Sequence, residues 1–231
     1  KEEFLRSLMA GSIASELCAQ VLGHEEAFIG AMFHNLGRLL AAFYFPEEAR
    51  TVRSLTASTR QPVTEASASA SVLGLSFEEL GIGVAKAWGL PEGIQRCMKQ
   101  SLGAPPPQAP ADPNERQRWM ALAANGVADI LLHADPHEVD IQLGQLARYY
   151  AKTLGISPSA VQSATLVARK KFIEMASAMD ITVLPGCDAA KLLQAPDVDT
   201  LVRPKSAGQT FDALAPLELH ATEPMSSHIM G

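Results

Sequence analysis

The chain has 231 residues, of which 47% are hydrophobic and 19% are charged, and its formal net charge is −6. This composition is typical of a globular protein and excludes an intrinsically disordered chain. The acidic balance gives no general electrostatic reason to bind nucleic acid. The longest apolar run, residues 39–45, is far shorter than the roughly 20 residues that span a bilayer, so no membrane segment is expected. Three widely spaced cysteines favour a reducing cytoplasm over a disulfide framework.

The first part of the chain has helical periodicity. Apolar residues recur at three- and four-residue steps over 3–22, which predicts one helix with a single apolar stripe, ended by Gly23. A second helix is predicted from about 25 to 43, and Pro46 ends that run. A third, shorter helix is predicted over 47–55.

The middle of the chain has clear helix start and stop signals. Residues 64–74 are rich in alanine and serine, which fits either a helix with a small-residue face or a mobile connector. Ser76 and Glu79 have the spacing of a capping box, so a helix is predicted to start there and to end at Gly89. Pro91 then opens the next helix at the first-turn position that proline tolerates.

The second half begins with a proline-rich stretch, 103–113, that predicts an extended connector. Three further helices are predicted, over 114–134, 137–154 and 158–179. From 181 to 231 the periodicity is lost, which indicates a tail or an interdomain linker. The predicted fold class is therefore all-α, a multi-helix bundle with a largely irregular C-terminal tail.

One stretch raises the question of a metal site. In IGAMFHNLGRLL, residues 29–40, His34 and Asn35 stand next to each other in an apolar helical run. Asn35 offers only a neutral amide oxygen, a weak metal ligand with no charge to offset that of the metal. Asp129 and His133 are the best distant partners, because they lie one turn apart on one predicted helix face. The first helix carries no histidine, and its polar residues near the start are Arg6, Ser7 and Ser12.

Other catalytic motifs are missing from the sequence. It has no phosphate-binding GxxxxGK[ST] loop, no GxSxG nucleophile elbow and no HExxH zinc motif. The glycine pattern at 81–89 lies inside a predicted helix with no strand before it, so it predicts close helix packing rather than nucleotide binding. No catalytic residue and no cofactor is therefore predicted.

Two separate runs carry a resemblance to a known family. EEAFIGAMFHNLGRLLAAFYFPEEA, residues 25–49, and SVLGLSFEELGIGVAKAWGLPEGIQRCMKQ, residues 71–100, occur in the order expected for HDOD domains. These are the HD-related output domains of bacterial signalling proteins. The resemblance covers residues 1–102 well and 114–180 more loosely. Together with the periodicity, it predicts an HDOD-like helical core at 1–102, which corresponds to the C-terminal half of the family domain. A proline-rich connector at 103–113, a helical extension at 114–180 that packs on the core, and a tail or interdomain linker at 181–231 are expected to follow.

The resemblance implies a cytoplasmic bacterial regulatory module that passes signals by binding. Such domains are often fused to kinase, receiver, GGDEF/EAL or GAF domains, so these are the expected partners. HDOD domains generally carry a further N-terminal helical half before this segment. We therefore expect either that the chain is a fragment or that a partner completes its fold, and self-association would follow from an exposed apolar face.

The departures from the family pattern concern potential metal ligands. An HD-type phosphohydrolase needs a His-Asp pair, but this chain has His34–Asn35, and Phe77 replaces a histidine ahead of Gly81. His34 and Asn35 are thus vestigial metal candidates, with Asp129 and His133 weaker ones, and no metal is predicted. The leading hypothesis is a non-catalytic signalling module that acts through protein or interdomain contacts. The alternative is a metal-dependent HD-type phosphohydrolase acting on a nucleotide or cyclic dinucleotide.

Overall fold

The computed structural model describes residues 1–18, 23–57, 63–100, 103–183 and 186–193. Within these ranges all regular structure is helical, which confirms the predicted all-α class. In chain order the helices are α1 (Glu2–Leu17), α2 (His24–Phe33), α3 (Leu36–Tyr44), α4 (Pro46–Thr56), α5 (Glu65–Leu73), α6 (Phe77–Ala87), α7 (Glu92–Cys97), α8 (Pro113–His133), α9 (Val139–Leu154), α10 (Pro158–Ala178) and α11 (Asp188–Leu193). All eleven belong to one structural unit, Lys1–Pro196.

Helix α1 is the central element of this unit. Every residue from 5 to 14 is buried, including the polar Arg6, Ser7 and Ser12. The predicted single apolar stripe is therefore wrong, because α2, α8, α10 and α11 together cover the helix on all its faces. Residues 19–22, where the prediction ended this helix, lie outside the described ranges, and Gly23 stands at the start of α2 with φ of 121°.

The single helix predicted over 25–43 is wrong as well. It divides into α2 and α3 at His34–Asn35, where Asn35 leaves the helical region with φ −107° and ψ 32°. The break directs the start of α3 against the start of α6. A Cβ built on Gly81 would lie 2.8 Å from the Gly37 backbone nitrogen, so two glycines form the contact between these helices. The prediction of close helix packing is thus confirmed at Gly81, whereas Gly83 faces open space.

The sequence signals for the starts of helices are confirmed in the middle of the chain. The Ala/Ser-rich stretch is a helix, α5, capped by the Thr64 hydroxyl, which accepts from Ser67 N at 3.2 Å. The predicted capping box is present, since Ser76 N donates to Glu79 Oε2 at 2.7 Å and Glu79 N donates to Ser76 Oγ at 3.2 Å. Ser157 likewise caps α10.

The proline-rich stretch runs over the surface of the same unit and does not separate two lobes. Thr153 Oγ1 in α9 donates to Pro106 O at 2.6 Å, and Arg116 Nη2 in α8 donates to Pro110 O at 3.0 Å. Helices α8, α9 and α10 share one apolar core with α1 and α2. The HDOD-like segment and the helices after it are therefore packed as one structure.

The tail predicted from 181 is wrong for residues 188–193, which are helical. Residues 188–193 form α11, and its Ala189 and Leu192 are buried against the core that surrounds α1. Six residues are too few to give a visible helical period, which is why the sequence did not reveal this element. The prediction for residues 194–231 falls outside the described ranges.

In the described part of the chain, no single helix is both long and apolar enough to cross a membrane. Helices α5 and α6 taken together meet the requirement by length and composition only, and they are bent by 68° relative to each other.

Candidate functional site

His34 lies at the break between α2 and α3 and is only 5% exposed. Its Nδ1 forms a short hydrogen bond with the backbone oxygen of Cys97, the last residue of α7. A carbonyl oxygen can only accept, so Nδ1 carries the proton and Nε2 is left as an acceptor. The pKa of His34 is lowered from 6.5 to about 4, mainly by burial. The hydrogen bond to Cys97 opposes this shift, whereas the nearby positive charges of Arg6 and Arg38 add to it. The imidazole is therefore neutral at pH 7.

Arg6 is the most deeply buried charged side chain near this break, with 1% exposure. Its Nη1 donates to Asp129 Oδ1 at 3.0 Å and to Asn125 Oδ1 at 3.2 Å, and its Nε donates to Glu3 Oε2 at 3.1 Å. Helix α1 supplies the guanidinium and Glu3, while α8 supplies the other two acceptors. The buried positive charge is thus compensated by two carboxylates and an amide.

Asn35 completes this cluster. Its amide nitrogen donates to Asn125 Oδ1 at 2.9 Å, and with the amide turned over, its oxygen accepts from Arg6 Nη2 at 2.9 Å. Asn125 is held in place because its own nitrogen donates to the backbone oxygens of Ala31 and Ala121, each at 2.9 Å. In either orientation of the amide, Asn35 contacts a protein partner.

The structure brings together only part of the metal site considered from the sequence. Asn35 and Asp129 converge, but the group between them is the guanidinium of Arg6. His133 is exposed and is the last residue of α8. Among the described residues, no group of three or more His, Cys, Asp or Glu side chains is placed to hold a metal ion. A divalent cation between Asn35 and Asp129 would meet the buried charge of Arg6 at short range.

Sequence reasoning noted Arg6 only as a polar residue and missed Asn125. Both carried a signal, because each is a strongly polar residue within an apolar helical run: FLRSLM around Arg6 and ALAANGVADIL around Asn125. Side chains of this kind are almost never fully buried unless paired. The pairing joins residues 119 positions apart in the chain, so the sequence alone could not have revealed it.

The neutral state of His34 predicts a pH-dependent stability. Its pKa of about 4 in the folded chain lies below the ordinary 6.5, so between these values the unfolded chain binds a proton that the native state does not. Stability therefore falls as the pH falls, and from pH 7 to pH 5 we expect a loss of about 2 kcal/mol in the free energy of unfolding. Urea unfolding at both pH values measures it.

The matched variants are His34→Asn, which keeps a donor for Cys97 O but cannot titrate, and His137→Asn at an exposed histidine. We expect His34→Asn to remove most of the fall in the free energy of unfolding between pH 7 and pH 5. His137→Asn is expected to leave that fall unchanged. Equal pH dependence in wild type and His34→Asn would show that His34 is not the titrating group.

A comparison with protein families identifies the first part of the chain. Residues 2–102 match the family model of the HDOD domain. The match ends just before the proline-rich stretch, and it contains both sequence runs that resemble this family as well as His34 and Asn35. Comparisons with curated proteins and with solved structures found no match. Residues 2–102 of this chain therefore belong to the HDOD domain family.

Proposed function

We propose that this chain is a non-catalytic module of bacterial cytoplasmic signal transduction, which acts through contacts with other domains or proteins. Its HDOD segment supports a signalling-related role. The observation that carries the non-catalytic part of the proposal is the position of Arg6, whose guanidinium lies between Asn35 and Asp129.

The physical argument concerns charge and space. Metal-assisted hydrolysis needs a cation with open coordination positions, at which a water is activated. The guanidinium of Arg6 already supplies a positive charge to Asp129, but it has no coordination position and cannot be deprotonated in a protein. It also donates to the amide oxygen of Asn125 and, with the Asn35 amide turned over, to the amide oxygen of Asn35. The cluster is thus suited to hold α1, α8 and the α2–α3 break together.

Exposed aromatic side chains support the contact part of the proposal. Phe43 and Tyr44 at the end of α3 are 75% and 66% exposed, and they stack edge to face with ring centroids 4.9 Å apart. Phe45 follows them and is also exposed, and Trp88 at the end of α6 is 59% exposed. Aromatic residues are enriched at protein interfaces, so these side chains fit contacts with kinase, receiver, GGDEF/EAL or GAF domains, or with a second copy of the chain.

An activity assay tests the proposal against the phosphohydrolase alternative. The chain is incubated with nucleotides and cyclic dinucleotides in the presence of manganese, magnesium or iron, and products are separated by chromatography. We expect no hydrolysis above that of a His34→Ala variant. Metal-dependent hydrolysis by the wild type that His34→Ala abolishes would overturn the non-catalytic proposal.

A further inference from the structure

A cavity of about 280 Å³ lies beside His34, bounded by the start of α3, by α5 and by the residues that open α6. This is a suitable volume for a small metabolite, since sites for drug-sized ligands have about 300–1,000 Å³. The side chains that matter for binding are His34, Arg38, Glu65, Ser69, Phe77 and Glu78. The Arg6 cluster consists of Arg6, Glu3, Asn35, Asn125 and Asp129. Only Asn35 of these lines the cavity, so the cluster and the cavity are largely separate.

Two polar groups of this wall have unused hydrogen-bonding capacity. The Nδ1–H group of His34 donates to Cys97 O, so the neutral ring presents Nε2 as an acceptor. The Nε of Arg38 is shielded from water and has no acceptor among the described residues. A buried donor without a partner is costly, which favours a ligand that supplies an acceptor on the Arg38 side. Ser69 is already satisfied, because its hydroxyl donates to Glu65 O at 2.7 Å.

The side chains that line the cavity carry charges of both signs. Arg38 Nη2 contacts Glu65 Oε2 at 2.8 Å, and Glu78 accepts from Gln100 N at 3.0 Å through one carboxylate oxygen. One cation and two carboxylates therefore line one small space. A simple anion would meet the two glutamates, and a simple cation would meet Arg38. A small molecule with both charges would find a partner for each.

We propose that this cavity binds a free α-amino acid. Its carboxylate pairs with the Arg38 guanidinium, a geometry in which arginine is favoured. Its ammonium group faces Glu65 and Glu78, with His34 Nε2 as a further acceptor, and its side chain lies along Phe77. This binding would give the regulatory module a small-molecule input. It goes beyond the proposed function, which is supported by Arg6 and the exposed aromatic residues.

Isothermal titration calorimetry with each of the common L-amino acids tests the proposal. Two further probes are the amine and the carboxylic acid that correspond to the best ligand, each of which lacks one of its charges. We expect saturable binding of at least one amino acid and at least about tenfold weaker binding of both probes, because each loses a charged hydrogen bond. Absence of binding by every amino acid would overturn the proposal.

Variants locate the binding. Arg38→Gln and Glu65→Gln are each expected to weaken it at least about tenfold, whereas Arg50→Gln, which removes the exposed pair with Glu47, is expected to leave it unchanged. Ala66→Trp fills the cavity from an exposed position on α5, so it tests the site even if Arg38→Gln fails to fold. Undiminished affinity in Ala66→Trp would show that the amino acid binds elsewhere and would overturn the assignment.

Discussion

Gly37→Ala is expected to lower the free energy of unfolding by about 4 kcal/mol or more, in the range reserved for severe core disruptions. The reason is steric. A Cβ on Gly37 would overlap the backbone carbonyl of Phe77 and would press on the Gly81 nitrogen, 2.9 Å away. These are backbone atoms in the first two turns of α6, so no side-chain rotation relieves the overlap. The two helices would have to separate, and the break at His34–Asn35 would move with α3.

Gly83→Ala is the matched control, because Gly83 lies in α6 near Gly81 but a Cβ there meets nothing within 4 Å. Alanine has the higher helix propensity, so this variant is expected to be about 0.5–1 kcal/mol more stable than the wild type. Urea unfolding followed by circular dichroism measures both variants. A Gly37→Ala protein as stable as the Gly83→Ala protein would show that α3 and α6 do not approach each other as described.

Arg6→Ala is expected to lower the free energy of unfolding by about 3–5 kcal/mol, as is typical when one partner of a buried charge cluster is removed. The variant leaves Asn35 and Asn125 without their charged donor and leaves space between α1 and α8. Asp129 is 44% exposed and regains water, so most of the loss comes from the buried Asn125, the half-buried Asn35 and the lost packing.

Arg50→Ala is the control for Arg6→Ala. It removes an arginine from an exposed ion pair with Glu47 on α4 and is expected to change stability by less than about 0.5 kcal/mol. Denaturant unfolding of both variants gives the comparison. If Arg6→Ala costs no more than Arg50→Ala, the Arg6 cluster does not hold the helices together and the structural role assigned to it is wrong.

Features that depend on residues within one helical turn could be predicted from the sequence, whereas features that depend on distant residues could not. The capping box at Ser76, the Ser157 cap and the proline at the start of α10 act within one turn, and they placed those helices correctly. The break at His34–Asn35 was not predicted, because no proline or glycine marks it, and the contact that it allows joins Gly37 to Gly81, 44 residues further along the chain.

The same distinction applies to the candidate site. Apolar spacing predicts one buried stripe on α1, whereas α2 from the first half and α8, α10 and α11 from the second half together bury the whole circumference of residues 5–14. Asn35 and Asp129 were singled out from the sequence as possible metal ligands, and they do converge. Arg6, the group that they share, stands out as a polar residue in an apolar run, but its pairing could not be predicted because Asn125 and Asp129 lie on α8, 119 and 123 positions away.

The most direct test of the non-catalytic proposal is the metal content of the chain, measured by inductively coupled plasma mass spectrometry after purification without a histidine tag or chelator. Because Arg6 provides the cation between Asn35 and Asp129, we expect far less than one equivalent of iron, manganese or zinc, with no difference between the wild type and His34→Ala. Near-stoichiometric metal in the wild type that is lost in His34→Ala would contradict a non-catalytic role and favour a phosphohydrolase.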